Sequence, residues 1–139
     1  MKGFIRLLRL DFIPHSVDCG LLVLRLWLGL SLICLHGWTK LSKFSSMSSK
    51  FADPLGIGTT QSLALATFAE VVCPILIVLG LFTRLASLAL AIHLAVAFVL
   101  VHKLAFKGAG GGELAWIYLA GFIVLFVAGP GRLSIDAKT

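Results

Sequence analysis

The sequence predicts an all-α protein: an integral membrane four-helix bundle with a short N-terminal interfacial amphipathic helix. Three observations lead there. The 139-residue chain is 59% hydrophobic and only 13% charged, with a mean hydropathy of +1.04, more apolar surface than a soluble domain of this length can bury. Its apolar residues gather into runs separated by polar or Gly-rich stretches, and a bilayer is the solvent in which such runs are stable as helices. The formal charge of +6 sits between these runs rather than on an aromatic-interleaved basic surface. Lipid bilayer with anionic head groups is therefore the expected partner, and nucleic acid is not.

Residues 1–16 read as an N-terminal interfacial segment and 17–139 as one transmembrane domain. In KGFIRLLRLDF, Lys2, Arg6 and Arg9 fall on one helical stripe and Phe4, Leu8 and Phe12 on another side, the pattern of a helix lying on a membrane surface. Pro14 ends it. The apolar run that follows is too long for a signal-peptide core and is expected to be retained. The first span runs from about Asp18 to Trp38, broken only by Arg25. The stretch 39–61, rich in Ser, Gly and Lys and containing Pro54, reads as a loop with one interfacial turn. The second span, about Ser62 to Leu81, contains Glu70 and Pro74. Thr83-Arg84 makes a tight connection to a third span, about Leu85 to Leu104, and KGAGGGE is a flexible link. The fourth run, Leu114 to Ala128, reaches only roughly 22 Å at about 1.5 Å per residue. It crosses a hydrocarbon layer of about 30 Å only if Gly111 to Glu113 extend it or the bilayer thins. Gly129-Pro130-Gly131 stops it.

Short connections make neighbouring spans antiparallel and put both termini on one side. That side carries Lys2, Arg6, Arg9, Arg84, Arg132 and Lys138, against Lys40, Lys43, Lys50, Lys103 and Lys107 opposite. The slight excess, with the weight of the early residues, predicts cytoplasmic termini.

Ionisable groups within the spans are costly and mark functional sites by default. With the 39–61 loop taken as outer, Arg25, Glu70 and His93 lie roughly 18, 12 and 16 Å below the outer ends of their spans. They are expected to share the middle of the bundle, with His36, Lys40, His102, Lys103 and Glu113 nearer the outer mouth. Arg25, Gly29, His36 and Lys40 form one helical face, and Thr67, Glu70 and Pro74 another. The resulting seam holds more cations than anions and suits an anionic or electron-rich polar ligand head. Glu70, His93 and His36 are the candidate catalytic residues; Arg25, Lys40 and His102 are the candidate substrate-binding residues.

Each has a structural alternative. Arg25 and Glu70 can form a buried ion pair that fixes helix register. His93 can be a satisfied bundle histidine, and His102 and Lys103 interfacial anchors. Trp38, Trp116 and Tyr118 fit an aromatic belt. Ala91, Ala95 and Gly121 offer a small-residue stripe to a partner helix. Cys19, Cys34 and Cys73 show no CxxC spacing and read as small apolar residues. No phosphate loop, HExxH, nucleophile elbow or Cys/His cluster is present, so no metal site is expected. His93 has no partner at matched depth for holding haem, and no covalently bound cofactor is expected.

Several of these residues together resemble the DoxX family of small bacterial and archaeal membrane proteins. They are R-x-x-x-G (Arg25, Gly29), H-G-x-x-K (His36, Gly37, Lys40), Ala66 with Glu70, G-L-x-T-R (Gly80, Leu81, Thr83, Arg84) and the closing G-P-G-R-x-S-x-D (Gly129 to Asp136). The resemblance covers about residues 20–136 and implies a four-helix bundle in the bacterial cytoplasmic membrane. Family members resemble a subunit of thiosulfate:quinone oxidoreductase or associate with membrane redox complexes. It leaves open three readings. One is an integral redox subunit that oxidises a small sulfur or thiol reductant and is linked to a quinone, with other redox subunits as partners. Another is a non-catalytic anchoring subunit of a larger complex. The third is a small transporter or channel-like protein with the polar seam as its path, a reading that a single four-helix chain without an internal repeat favours less unless it forms a homo-oligomer.

Overall fold

The computed structural model describes residues 2–108 and 110–139. Helix α1 spans Lys2–Leu8, α2 Val17–Ser42, α3 Phe44–Met47, α4 Thr59–Leu79, α5 Thr83–Val101 and α6 Glu113–Ala128. Among the described residues there is no strand. Helices α2, α4 and α5, at 26, 21 and 19 residues, are long and apolar enough to cross a membrane. Helix α6 has 16 residues, so it begins at Glu113 and gains no further turn from the glycines before it.

The helix ends follow from local chemistry. Ser16 caps α2 by accepting from the Cys19 N–H at 3.2 Å, as a Ser at this position does. Gly80 ends α4 at φ 70, with Gly80 N–H donating to Ile77 O and Leu81 N–H to Leu76 O. This left-handed closure favours glycine. A second reason is steric, because a Cβ here would collide with the Arg25 guanidinium. Helix α5 is capped from far along the chain: Asp136 accepts from the Phe82 and Thr83 N–H groups at 2.7 and 2.9 Å. Its own N–H donates to Gly80 O at 2.8 Å. Burial alone would push the Asp136 carboxyl up, but those amide donors outweigh it and hold it below its usual range.

Leu32, Leu63, Ile77, Leu90, Phe122 and Leu125, each no more than 1% exposed, form the centre of the bundle. Val23, Trp27, Phe68, Leu85, Ile92, Ile117 and Val127 point outward. An apolar surface of this extent is stable only against lipid. The start of α2 and the chain after α6 lie at one end, tied by Arg132 Nε to Asp18 Oδ2 at 2.8 Å. We call this the tail end and the opposite end, with residues 43–58, the mouth end.

Three details differ from the sequence reading. The first transmembrane helix continues past Trp38 to Ser42 through a π-helical turn at Ile33–Gly37, and Phe44–Met47 adds a further helical turn. Much of the expected 39–61 loop is thus helical. The N-terminal helix stops at Leu8, and Leu10 takes a positive φ of 54. Gly121 faces Leu28 of α2 so closely that a Cβ would collide with it; it serves packing within the bundle rather than a lipid-facing stripe.

Candidate functional site

Glu70 sits on the buried face of α4. Four residues later Pro74 lacks the N–H that would otherwise bond the Glu70 carbonyl, so that oxygen is left without its helical partner. Helix α2 crosses α4 at this point. Its π turn brings Gly37 against the freed carbonyl, where any Cβ would collide. A π turn inserts an extra residue into a helix and often marks a functional position. Here it sets the crossing that carries Lys40, one turn further on, over Glu70.

The result is a charged cluster. Lys40 Nζ donates to Glu70 Oε2 at 2.5 Å, and His93 Nε2 lies 2.8 Å from Oε1. With Glu70 ionised as the partner of Lys40, its carboxylate only accepts, so this contact calls for the proton on Nε2 of His93. Side-chain exposures of 16%, 8% and 20% for Lys40, Glu70 and His93 place the cluster out of bulk solvent. Each carboxylate oxygen has one donor, so the charge is both paired and hydrogen-bonded, the condition under which a buried ion is tolerated.

The cluster lies in the wall of a cavity of about 380 Å³, also lined by His36, Leu94, Ala97, His102, Leu114 and Tyr118. His36 projects from the π turn and meets the Tyr118 ring edge-on at 6.0 Å. Among the described residues no hydrogen bond reaches the His36 ring, whereas His102 Nδ1 contacts Gly110 O at 2.5 Å. Residues 51–57 lie over the mouth. Asp53 holds that loop by accepting from Ile57 N, Gly58 N and Ser62 Oγ at 3.0, 2.8 and 2.8 Å. The Ser62 hydroxyl and Gly58 N–H keep the Asp53 carboxyl below its usual range.

Five of the six candidate site residues thus surround one cavity: Glu70, His93, His36, Lys40 and His102. Arg25 does not join them. Its guanidinium turns to the tail end, where it donates to Ile77 O at 3.4 Å and to Leu133 O. Arg25 is 0% exposed, and Glu70 is paired with Lys40 and His93 rather than with it. Rise per residue gave Arg25 a depth but carried no information about the C-terminal segment that folds back to receive it. Tyr118 is also displaced from its expected place. It is buried, and its hydroxyl donates to Ser31 Oγ at 2.8 Å, so it is a bundle residue rather than part of an interfacial belt. Sequence reasoning missed the closeness of Lys40 to Glu70. The helix-breaking Pro74 opposite the Gly37 in H-G-x-x-K is the signal that could have found it. Among the described residues, no group of His, Cys, Asp and Glu side chains has the arrangement of a metal site.

Spanning apolar helices around a largely enclosed, charged cluster define a small polytopic membrane protein with a built polar site. The chain belongs to the DoxX family, whose model matches residues 20–103. A Haemophilus influenzae protein named only as uncharacterized is 34% identical over 113 residues, covering 75% of this chain and 79% of that one. A second, similarly named protein of that organism is 28% identical over 122 residues, covering 84% of this chain and 81% of its own length. An uncharacterized membrane protein of Mycobacterium tuberculosis is 34% identical over 131 residues, covering 78% and 80%. No solved structure matches the chain.

Proposed function

We propose that this protein is an integral subunit of a membrane redox system, in which the mouth-end cavity receives the head of a quinone during oxidation of a small sulfur or thiol reductant. The observation that carries the reading is a Lys40–Glu70–His93 cluster in the wall of a cavity of about 380 Å³ whose remaining lining is mostly apolar. That volume falls at the lower end of the range for small-molecule sites, about 300–1,000 Å³.

Glu70 spends each carboxylate oxygen on a protein donor, while Lys40 keeps N–H groups to spare and the His36 ring is uncommitted. The cavity therefore offers donors, and a ligand with carbonyl acceptors complements it. Quinone reduction consumes two electrons and two protons. Lys40 and His36 orient the carbonyls, while His93, held in one tautomer by Glu70, exchanges a proton with the ring oxygen. A thiol pair supplies two electrons and two protons on becoming a disulfide, directly or through a partner subunit. A thiosulfate pair supplies two electrons only on becoming tetrathionate, and both protons then come from water, relayed by His93. Arg25 acts elsewhere, as the anchor of the C-terminal segment.

The same reading places the protein in a bacterial cytoplasmic membrane with both termini cytoplasmic. Residues 1–16 are a separate interfacial element ahead of the 17–139 domain. Residues 3–16 are all exposed, with Phe4, Leu8 and Phe12 more than 60% exposed. An unpacked basic and apolar segment of this kind suits an anionic lipid surface.

The test is quinone reduction by membranes containing the protein, driven by thiosulfate or a small thiol. Glu70→Gln and His36→Ala are expected to abolish the activity per molecule of folded protein recovered. Undiminished reduction in both variants would favour a purely anchoring role.

A further inference from the structure

The cavity lining sorts its residues by exposure. Its charged and polar members, including Lys40, Glu70 and His93, are buried or half-buried. Every lining residue that is exposed is apolar: Ala52, Leu55, Ile57, Leu65, Val101 and Leu114. Leu65, Ile57 and Val101 are 56%, 44% and 41% exposed. A mouth that opened to water would carry its polar groups at the rim. This one carries them inside and presents hydrocarbon at the edge, which is favourable only where the rim meets lipid.

Leu65 and Val101 place part of this rim on the mouth-end portions of two antiparallel neighbours, α4 and α5, beneath the loop that Asp53 fixes. A volume of about 380 Å³ encloses one substituted ring but not a long alkyl or isoprenoid chain. Whatever chain the ligand bears must cross the rim.

We propose that the cavity is entered laterally from the bilayer, between the mouth-end portions of α4 and α5, by a membrane-dissolved amphiphile whose uncharged, carbonyl-bearing head reaches Lys40 while its apolar tail stays across Leu65, Ile57 and Val101. This deepens the quinone reading of the same cavity and rests on it. It makes the rim residues determinants of tail recognition and excludes water-soluble, tail-free rings as good ligands. The polar reductant and the quinone then approach by different routes, since a doubly charged anion does not cross a hydrocarbon rim.

The experiment compares a tail-free benzoquinone with the same ring bearing a decyl chain. Both are titrated by tryptophan fluorescence quenching into protein held at fixed detergent concentration. The decyl compound is expected to bind at least about tenfold more tightly, the gain from burying about two methylenes. Leu65→Asp and Val101→Asp should remove that advantage, bringing the decyl compound's affinity down to that of the tail-free ring in the same variant. Leu79→Asp, at an exposed apolar site away from the rim, controls for partitioning and folding and should retain it. Equal affinity of both compounds for the wild type, or rim variants that behave like Leu79→Asp, overturns the lateral route. If the ring still binds and Glu70→Gln weakens it, the quinone reading survives that result. Failure of both compounds to bind overturns both proposals.

Discussion

Glu70 is the residue on which the site turns, because its charge is tolerated in the bundle only through the two donors it holds. Removing one partner of a buried pair costs about 3–5 kcal/mol, while replacing both with uncharged groups of similar size is often neutral. Lys40→Met is therefore expected to destabilise the protein by about 3 kcal/mol, and Lys40→Met/Glu70→Gln to recover most of that loss. A denaturant titration of the wild type, the two single variants and the double variant in one detergent measures it; additive losses would show that the pair is not coupled. The prominence of Glu70 and His93 was legible in the sequence, since ionisable groups inside apolar runs stand out by their cost. The Lys40 contact was not, because depth along a helix ignores the reach of a flexible lysine stem. Arg25 was placed wrongly for a related reason: its partner is the Leu133 carbonyl, 108 positions away, which no local spacing reveals.

At the scale of elements, the meeting of α2 and α4 carries the design. Gly29 and Gly37 of α2 both lie against α4 backbone, at the Pro74 and Glu70 carbonyls. The Pro74 ring leaves the second of these without an amide donor. Gly37→Ala has no space for its methyl group and must push the helices apart at Lys40. The expected outcome is a loss of ligand affinity comparable to that of Lys40→Met, accompanied by reduced stability; unchanged affinity would separate the crossing from the site. The spans themselves could be read from their apolar runs. The π turns at Ile33–Gly37 and Ala97–Val101 could not, because one extra residue in a helix leaves hydrophobicity almost untouched. Since the first turn lies where the first span was expected to end, it also hid the helical continuation to Ser42.

Across the whole molecule, the two ends do different work. The mouth end holds the cavity, and the tail end is closed by residues 129–139 through Arg25 with Leu133, Asp18 with Arg132, and Asp136 on the start of α5. Because the folded state holds the Asp136 carboxyl low, its contribution is fully present above the unfolded carboxylate range and is lost as pH falls through the lowered folded value. Limited proteolysis of the C-terminal segment should accelerate over that acidic interval. Asp136→Ala, costing about 1 kcal/mol as a lost cap, should be cut readily at neutral pH; equal resistance in both proteins would argue against the latch. Orientation is checked at Cys19, which is exposed near the tail end. In a Cys34→Ala/Cys73→Ala background, an impermeant maleimide should label it only after the cells are opened. Labelling of intact cells would place the tail end outside. The membrane character of the bundle was legible from composition and its spans from the apolar runs, whereas the tail's return to the bundle depends on contacts between distant segments that neither encodes.

The central claim is that the Lys40–Glu70–His93 cluster receives a carbonyl-bearing head, and the carbonyl itself is the most direct reporter. Infrared difference spectra of an isotope-labelled decyl-benzoquinone, with and without protein, should show the carbonyl stretch moved to lower frequency on binding. That shift should be lost in Lys40→Met. An unshifted carbonyl in the bound wild-type complex, or the same shift in Lys40→Met, would contradict the assignment of this cluster as the head-group site.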